Sequence, residues 1–229
     1  MLQQLRERVL EANLELVRRG LVLYTFGNAS GIDRAEGLVA IKPSGVPYER
    51  LTAADLVVVD LDGKLVEGNL RPSSDLPTHL ELYKAFPAIG GVAHTHSRYA
   101  TAWAQARRPI PCLGTTHADY FRGPVPVTGG LTALEIEKDY ELNTGLAIVR
   151  RMSGLDPLET PGCLVASHGP FVWGRNAGEA ARMAVILEEL AHLAWLTLVI
   201  NPDAGPIAEA LRDRHFLRKH GSSATYGQS

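Results

Sequence analysis

Along the chain the spacing of apolar positions changes several times. Leu2, Leu5, Val9, Ala12 and Leu16 recur three or four residues apart, which predicts a helix over 2–19 stopped by Gly20. The period then shortens. Leu38-Val39-Ala40-Ile41 predicts a buried strand, and 56–60 and 64–67 flank Asp62-Gly63 as a hairpin. Residues 77–86 suit a helix with Pro77 in its first turn. Ile89 to His94 predicts a strand running into the polar tip Thr95-His96-Ser97, with a helix following through Trp103. Thr132-Ala133-Leu134-Glu135 is a capping box that opens a helical region toward Arg151. Strands are expected at 163–167 and 171–173 around the turn His168-Gly169-Pro170. A long helix begins at Asn176 with Glu179 and ends near Pro202, and a last one covers about 206–220. Residues 109–126 read as a long Pro-rich loop of the kind that often carries function. Helices at both ends and a hairpin inside predict one α/β domain over 1–229, with a mixed or largely antiparallel sheet.

Composition narrows the partners. Lys plus Arg number 23 and Asp plus Glu 25, so the net charge of −2 argues against a general nucleic-acid or anionic-membrane binder. A local basic pocket for one phosphate stays compatible with that balance. Cys112 and Cys163 are the only cysteines, which disfavours a disulfide framework, a Cys-rich zinc module or an iron–sulfur cluster. The first eight residues alternate like a helix and unlike a signal peptide, and Leu193–Ile200 is too short to span a bilayer. A cytoplasmic protein is expected.

Candidate chemistry centres on histidines. In His94-Thr95-His96 an extended backbone points both imidazoles to one side, where they can grip one metal ion or simply be solvated. His168 sits at a similar strand end, and three neutral imidazoles favour zinc or a similar divalent ion with an open position. Asp75, in Ser73-Ser74-Asp75, is either a fourth ligand or, like Ser74, a cap of the helix that follows; both roles can coexist. Gly27-Asn28-Ala29-Ser30-Gly31 and Lys42-Pro43-Ser44-Gly45 read as small polar loops. They are either plain turns or, through backbone N–H groups, hydroxyls and the Lys42 charge, a phosphate cradle. No dinucleotide fingerprint, P-loop or Gly-x-Ser-x-Gly elbow is present, so hydride transfer and ATP-dependent chemistry have no support.

These stretches resemble the class II aldolase family, which includes fuculose- and rhamnulose-phosphate aldolases and the adducin head domain. The shared segments are Thr25-Phe26-Gly27-Asn28, Ile41 to Val46, Arg71 to Asp75, Gly91 to Ser97 and Ser167 to Pro170. Gly114 to Phe121 and the tail through Tyr226-Gly227-Gln228 are similar to the L-ribulose-5-phosphate 4-epimerases within that family, as is Asp75 where the aldolases carry Glu. The stretches Arg122-Gly123 and Ser222–Thr225 depart from the pattern.

The resemblance implies a three-layer α/β/α fold around a central, mainly antiparallel sheet. It implies a homotetramer with sites near subunit boundaries, and a Zn2+ ion (or Mn2+ or Co2+) held by His94, His96 and His168 with Asp75. Asp119 and Tyr226 match the acid/base pair, with the tail 221–229 reaching the active site. Gly27, Asn28, Lys42, Ser44, Gly45, Ser73 and Ser74 would bind phosphate, with His215 and Arg218 as lesser lining candidates. The implied activity is epimerisation of a pentulose 5-phosphate at C4, as in arabinose breakdown, by retro-aldol cleavage and re-addition. A sugar-phosphate aldolase releasing its aldehyde is the alternative.

Overall fold

The computed structural model describes residues 2–221 and 224. The chain begins with helix α1 (Leu2–Arg18) and crosses the sheet with β1 (Asn28–Asp33), β2 (Leu38–Ile41), β3 (Val57–Asp60) and β4 (Leu65–Glu67). Helix α2 (Leu76–Ala85), β5 (Gly91–His94), α3 (Arg98–Gln105) and the single turn α4 (Thr115–Ala118) follow. Then come α5 (Ala133–Glu137), α6 (Tyr140–Arg151), β6 (Gly162–Leu164), β7 (Pro170–Gly174), α7 (Ala177–Ile200) and α8 (Glu209–His220).

The seven strands form one sheet in the order β4-β3-β2-β1-β5-β7-β6, and all the pairings between them are antiparallel. Strand alternation divides the core in two. Ala40, Val58, Ala93 and Val172 pack with α1, α3 and α7, whereas Val39, Ile41, Val57, Val59, Val92, Phe171 and Trp173 pack with α2 and α6. The three-layer expectation holds.

Several local expectations are corrected. The Gly27–Gly31 segment is not a loop: residues from Asn28 onward form the central strand β1, paired with both β2 and β5. Its small residues hid it from an apolar pattern. They are small because α1 lies close: a Cβ on Gly31 would fall 2.9 Å from the Val9 side chain. The Asn13 amide clasps Ala29, donating to its carbonyl at 2.9 Å and accepting from its N–H at 2.9 Å. The expected helix over 132–151 is two helices, broken where Asp139 takes a left-handed φ of 55°. The expected strand 163–167 ends at Leu164, and the last helix starts at Glu209. The long 109–126 loop holds α4 and an Ile110–Val125 bridge.

By length and composition alone α7 is apolar enough to cross a membrane. Its Ala180, Ala184, Leu187 and Ala191 are buried in the core, and Glu188 accepts the N–H groups of Tyr99 and Ala100 at the start of α3. It is packed as a core helix.

Candidate metal and anion site

His94 ends β5, His96 lies two residues on, and His168 sits in the tight turn between β6 and β7. Pairing of β5 with β7 sets His94 opposite Phe171, whose ring stacks on the imidazole at 4.1 Å. The three imidazole centroids are 4.7–4.9 Å apart, and one ligand atom from each lies within 4.8 Å of the others. His94 Nδ1 is 2.9 Å from the Pro170 carbonyl oxygen, which can only accept, so Nδ1 carries a proton and Nε2 is the atom left to face a ligand. That Nε2 stands 3.1 Å from His96 Nε2. Burial, reinforced by the neighbouring imidazoles, pushes the His168 pKa down to about 4 and lowers that of His96. Uncharged rings with converging lone pairs fit a divalent ion, since tetrahedral Zn–N bonds of ~2.0–2.1 Å separate ligands by roughly 3.4 Å.

Asp75 occupies the N-cap position of α2, but its side chain makes no capping bond. Instead Oδ2 accepts from Asn28 Nδ2 at 2.7 Å. The same amide donates to Ser73 Oγ at 3.0 Å, while Asn28 Oδ1 is buried without a hydrogen-bond partner among the described residues. Burial opposes ionisation of Asp75, yet the imidazoles of His94 and His79 and the Asn28 amide outweigh it and hold the carboxyl below its usual range. Asp75 is not part of the close histidine cluster, although it lines the same cavity.

That cavity has a volume of about 570 Å³. Gly27, Asn28, Lys42, Ser44, Gly45, Ser73 and Ser74, all expected at an anion site, line it together with Asp75, His96 and His168. Two loops build the anion side. Ser44 N–H donates to Arg71 O and Ser73 N–H to Lys42 O, so the 42–45 and 71–74 segments are zipped side by side. Gly27 is required by geometry: its φ is +78° and a Cβ would fall 2.7 Å from the His94 carbonyl oxygen. Lys42 is only 1% exposed, and burial lowers its pKa. Its ammonium donates to Pro43 O at 3.3 Å and lies 4.6 Å from the Tyr48 ring centroid. Thr25, Phe26, Tyr140 and Glu141 also line the cavity and were missed. Only the fold brings the start of α6 beside His168. A larger groove of about 720 Å³ along α1 gathers no histidine, so size alone does not pick the site.

Asp119, His215 and Arg218 come together elsewhere, and none lines the triad cavity. Asp119 follows α4 and faces α8. Its carboxylate meets His215 Nδ1 at 3.0 Å, Arg218 at 2.9–3.0 Å and Lys219 Nζ at 3.4 Å. Burial works to raise the Asp119 pKa, but hydrogen bonds from Arg218 and His215 and the Lys219 charge prevail and lower it. Within one chain His215 and Arg218 hold Asp119 and are not among the residues that line the cavity. Tyr226 and the tail expected to reach the active site lie outside the described residues, apart from Gly221 and Ala224.

The family model for the class II aldolase and adducin N-terminal domain matches residues 7–195. Among solved structures, an L-fuculose 1-phosphate aldolase is 27% identical, with 93% of this chain and 94% of that one covered at a TM-score of 0.79. YgbL from Klebsiella pneumoniae, provisionally assigned as an aldolase, epimerase or decarboxylase, is 29% identical over 93% of this chain and 98% of that one, with a TM-score of 0.73. An L-fuculose-1-phosphate aldolase from Thermus thermophilus is 26% identical over 88% of this chain and 99% of that one, with a TM-score of 0.69. The chain belongs to the class II aldolase and adducin N-terminal domain family.

Proposed function

We propose that this protein is a divalent-metal-dependent epimerase that interconverts L-ribulose 5-phosphate and D-xylulose 5-phosphate. The observation that carries this reading is one cavity in which uncharged imidazoles meet an anion cradle containing a buried lysine. His94, His96 and His168, with Asp75 beside them, would hold the ion; the donor set suits zinc, and Mn2+ or Co2+ could serve. A metal bound there supplies Lewis acidity toward neighbouring ketose oxygens.

The chain's own residues do the rest. Gly27, Lys42, Ser44, Gly45, Ser73 and Ser74 bind the phosphate, which repays the desolvation of the Lys42 ammonium. Asn28 acts through Ser73 and Asp75, both of which it holds. A C2 ketone acidifies hydrogens on C1 and C3 but not on C4, so inverting C4 requires breaking the C3–C4 bond. The C4 hydroxyl gives up its proton as the bond breaks, leaving a three-carbon enediolate and glycolaldehyde phosphate. The aldehyde turns over, the bond re-forms on its other face, and its oxygen regains a proton. Asp119 and Tyr226 share this proton traffic. The ionised Asp119 carboxylate matches the accepting half.

Because the Asp119 cluster lies off the cavity within one chain, this reading includes a homotetramer in which one chain's cavity meets its neighbour's acid/base groups. Exposed Trp195, Val199 and Ile200 at the end of α7 support such an assembly. The likeness to fuculose-phosphate aldolases favours a second reading, an aldolase that releases its aldehyde. Incubation of the zinc-loaded chain with L-ribulose 5-phosphate, followed by NMR, separates them. D-xylulose 5-phosphate supports the epimerase, and free dihydroxyacetone with glycolaldehyde phosphate supports the aldolase. An unchanged substrate on metal-loaded protein overturns both.

A further inference from the structure

We infer that Tyr140 is a positioning residue whose hydroxyl occupies Nδ1 of His168 and aims its Nε2 toward a divalent cation, an inference that rests on the metal half of the proposed function. Tyr140 Oη lies 3.2 Å from His168 Nδ1. His94 likewise has its Nδ1 engaged, in its case donating to the carbonyl of Pro170. In both rings the Nδ1 position is occupied, which leaves Nε2 as the ligand atom. Partners of this kind raise the basicity of a metal-bound imidazole and stop it from rotating.

The backbone on either side indicates that this contact is built and not incidental. Asp139, immediately before Tyr140, and Ser167, immediately before His168, both have left-handed φ values, 55° and 64°. Non-glycine residues hold such conformations only where their surroundings impose them. Both ends are pinned. The Asp139 carbonyl accepts from Asn143 N–H at 2.9 Å, the Tyr140 carbonyl from Thr144 Oγ1 at 2.9 Å, and the Glu141 carbonyl from Thr78 Oγ1 of α2. Ser167 N–H donates to Ala104 O at 2.9 Å, and Arg107 Nε donates to its hydroxyl at 3.1 Å. Tyr140 thereby links the His168 turn to the α2–α6 layer, the layer whose first residue follows Asp75.

The test is metal binding by the full chain, with no substrate present. Zinc affinity is measured by competition with a chromophoric chelator, and the visible spectrum is recorded on the cobalt-loaded protein. Tyr140→Phe, which keeps the ring and removes the oxygen, should weaken zinc binding on the order of 10–100-fold and shift the cobalt bands. Asp139→Gly, which accepts the left-handed φ, should keep wild-type affinity. In the zinc-loaded wild-type chain, 15N shifts should show His168 coordinated through Nε2 and protonated at Nδ1, a readout that does not depend on any variant folding. Coordination through Nδ1, or wild-type affinity and spectrum in Tyr140→Phe, overturns the role of Tyr140 and leaves the metal site standing. A wild-type chain that takes up neither ion overturns this inference and the metal half of the proposed function together.

Discussion

The histidine cavity and the Asp119 cluster are both built from ionisable groups, yet they settle into opposite charge states. In both, burial disfavours the charged form. At His96 and His168 the neighbours are other imidazoles, which add to the penalty, and the rings are held neutral. At Asp119 the neighbours are Arg218, His215 and Lys219, which outweigh it, and the carboxylate is held ionised. The first arrangement presents lone pairs to a cation. The second holds an ionised carboxylate against α8. The proposed function places metal binding and proton transfer in these separate parts of the chain, so each should be removable while the other is kept.

The largest expected effect comes from the first region. His96→Asn should lower zinc content or affinity by more than the ~10–100-fold that loss of a mere supporting partner costs. Turnover should fall with it, while the Asp119 cluster and α8 stay intact. Metal analysis of the dialysed protein checks this; full zinc in the variant would remove His96 from the ligand set. Asp119→Asn should do the reverse. Zinc should stay at the wild-type level, and turnover should fall on the order of 10²-fold. A wild-type rate would take Asp119 out of the chemistry.

The two regions also differ in how far they could be read from the residues. His94-Thr95-His96 announced itself because an extended backbone puts i and i+2 on one side. The strands that hold it were visible as apolar runs. The Asn28–Asp33 strand beside it was not, because a strand packed this closely under α1 is made of Ala, Ser and Gly. Asp119 carried no local signal: only the docking of α8, about a hundred residues later, surrounds it with cations. Its expected role came from family resemblance alone. Tyr140 also carried no local signal and was not expected at all: it reaches His168 through a left-handed residue that no pattern of polarity encodes.

Acid should act on two buried histidines outside the triad before it reaches the Asp119 pair. His79 has a pKa pushed down to about 3 and His117 to about 4, in each case chiefly by burial. Both lie below the unfolded value of ~6.5, so their stabilisation is complete above that pH and is lost as pH falls toward the folded values. Asp119 has its pKa lowered from an ordinary carboxylate value, so its contribution persists to about pH 4 and disappears only as pH falls through the folded value. Metal-free chain should therefore lose stability between pH 7 and 5 while the Asp119–Arg218 pair is still formed. His117 alone should account for about 2 kcal/mol of that loss. His117→Gln, which keeps a donor for the Gly123 carbonyl, should flatten the slope in urea titrations at the two pH values. An unchanged slope would mean that His117 is protonated without penalty.

The smallest departure from wild type is expected when the two regions are supplied by different chains. A His96→Asn chain retains its Asp119 cluster, and an Asp119→Asn chain retains its histidines. Each alone should be nearly inactive. In the proposed cyclic tetramer every site would lie between one chain's cavity and the next chain's α4–α8 face. If equal amounts of the two variants are unfolded and refolded together, about one interface in four joins an intact cavity to an intact Asp119 by random assortment. Activity should then recover to roughly a quarter of wild type, only about fourfold below it. Mixed tetramers are verified by a mass tag on one variant. If they form and stay as inactive as their parents, the cavity and the carboxylate that serves it belong to the same chain. The assignment of Asp119 to a neighbour's site would then fall, whatever the metal analysis has shown.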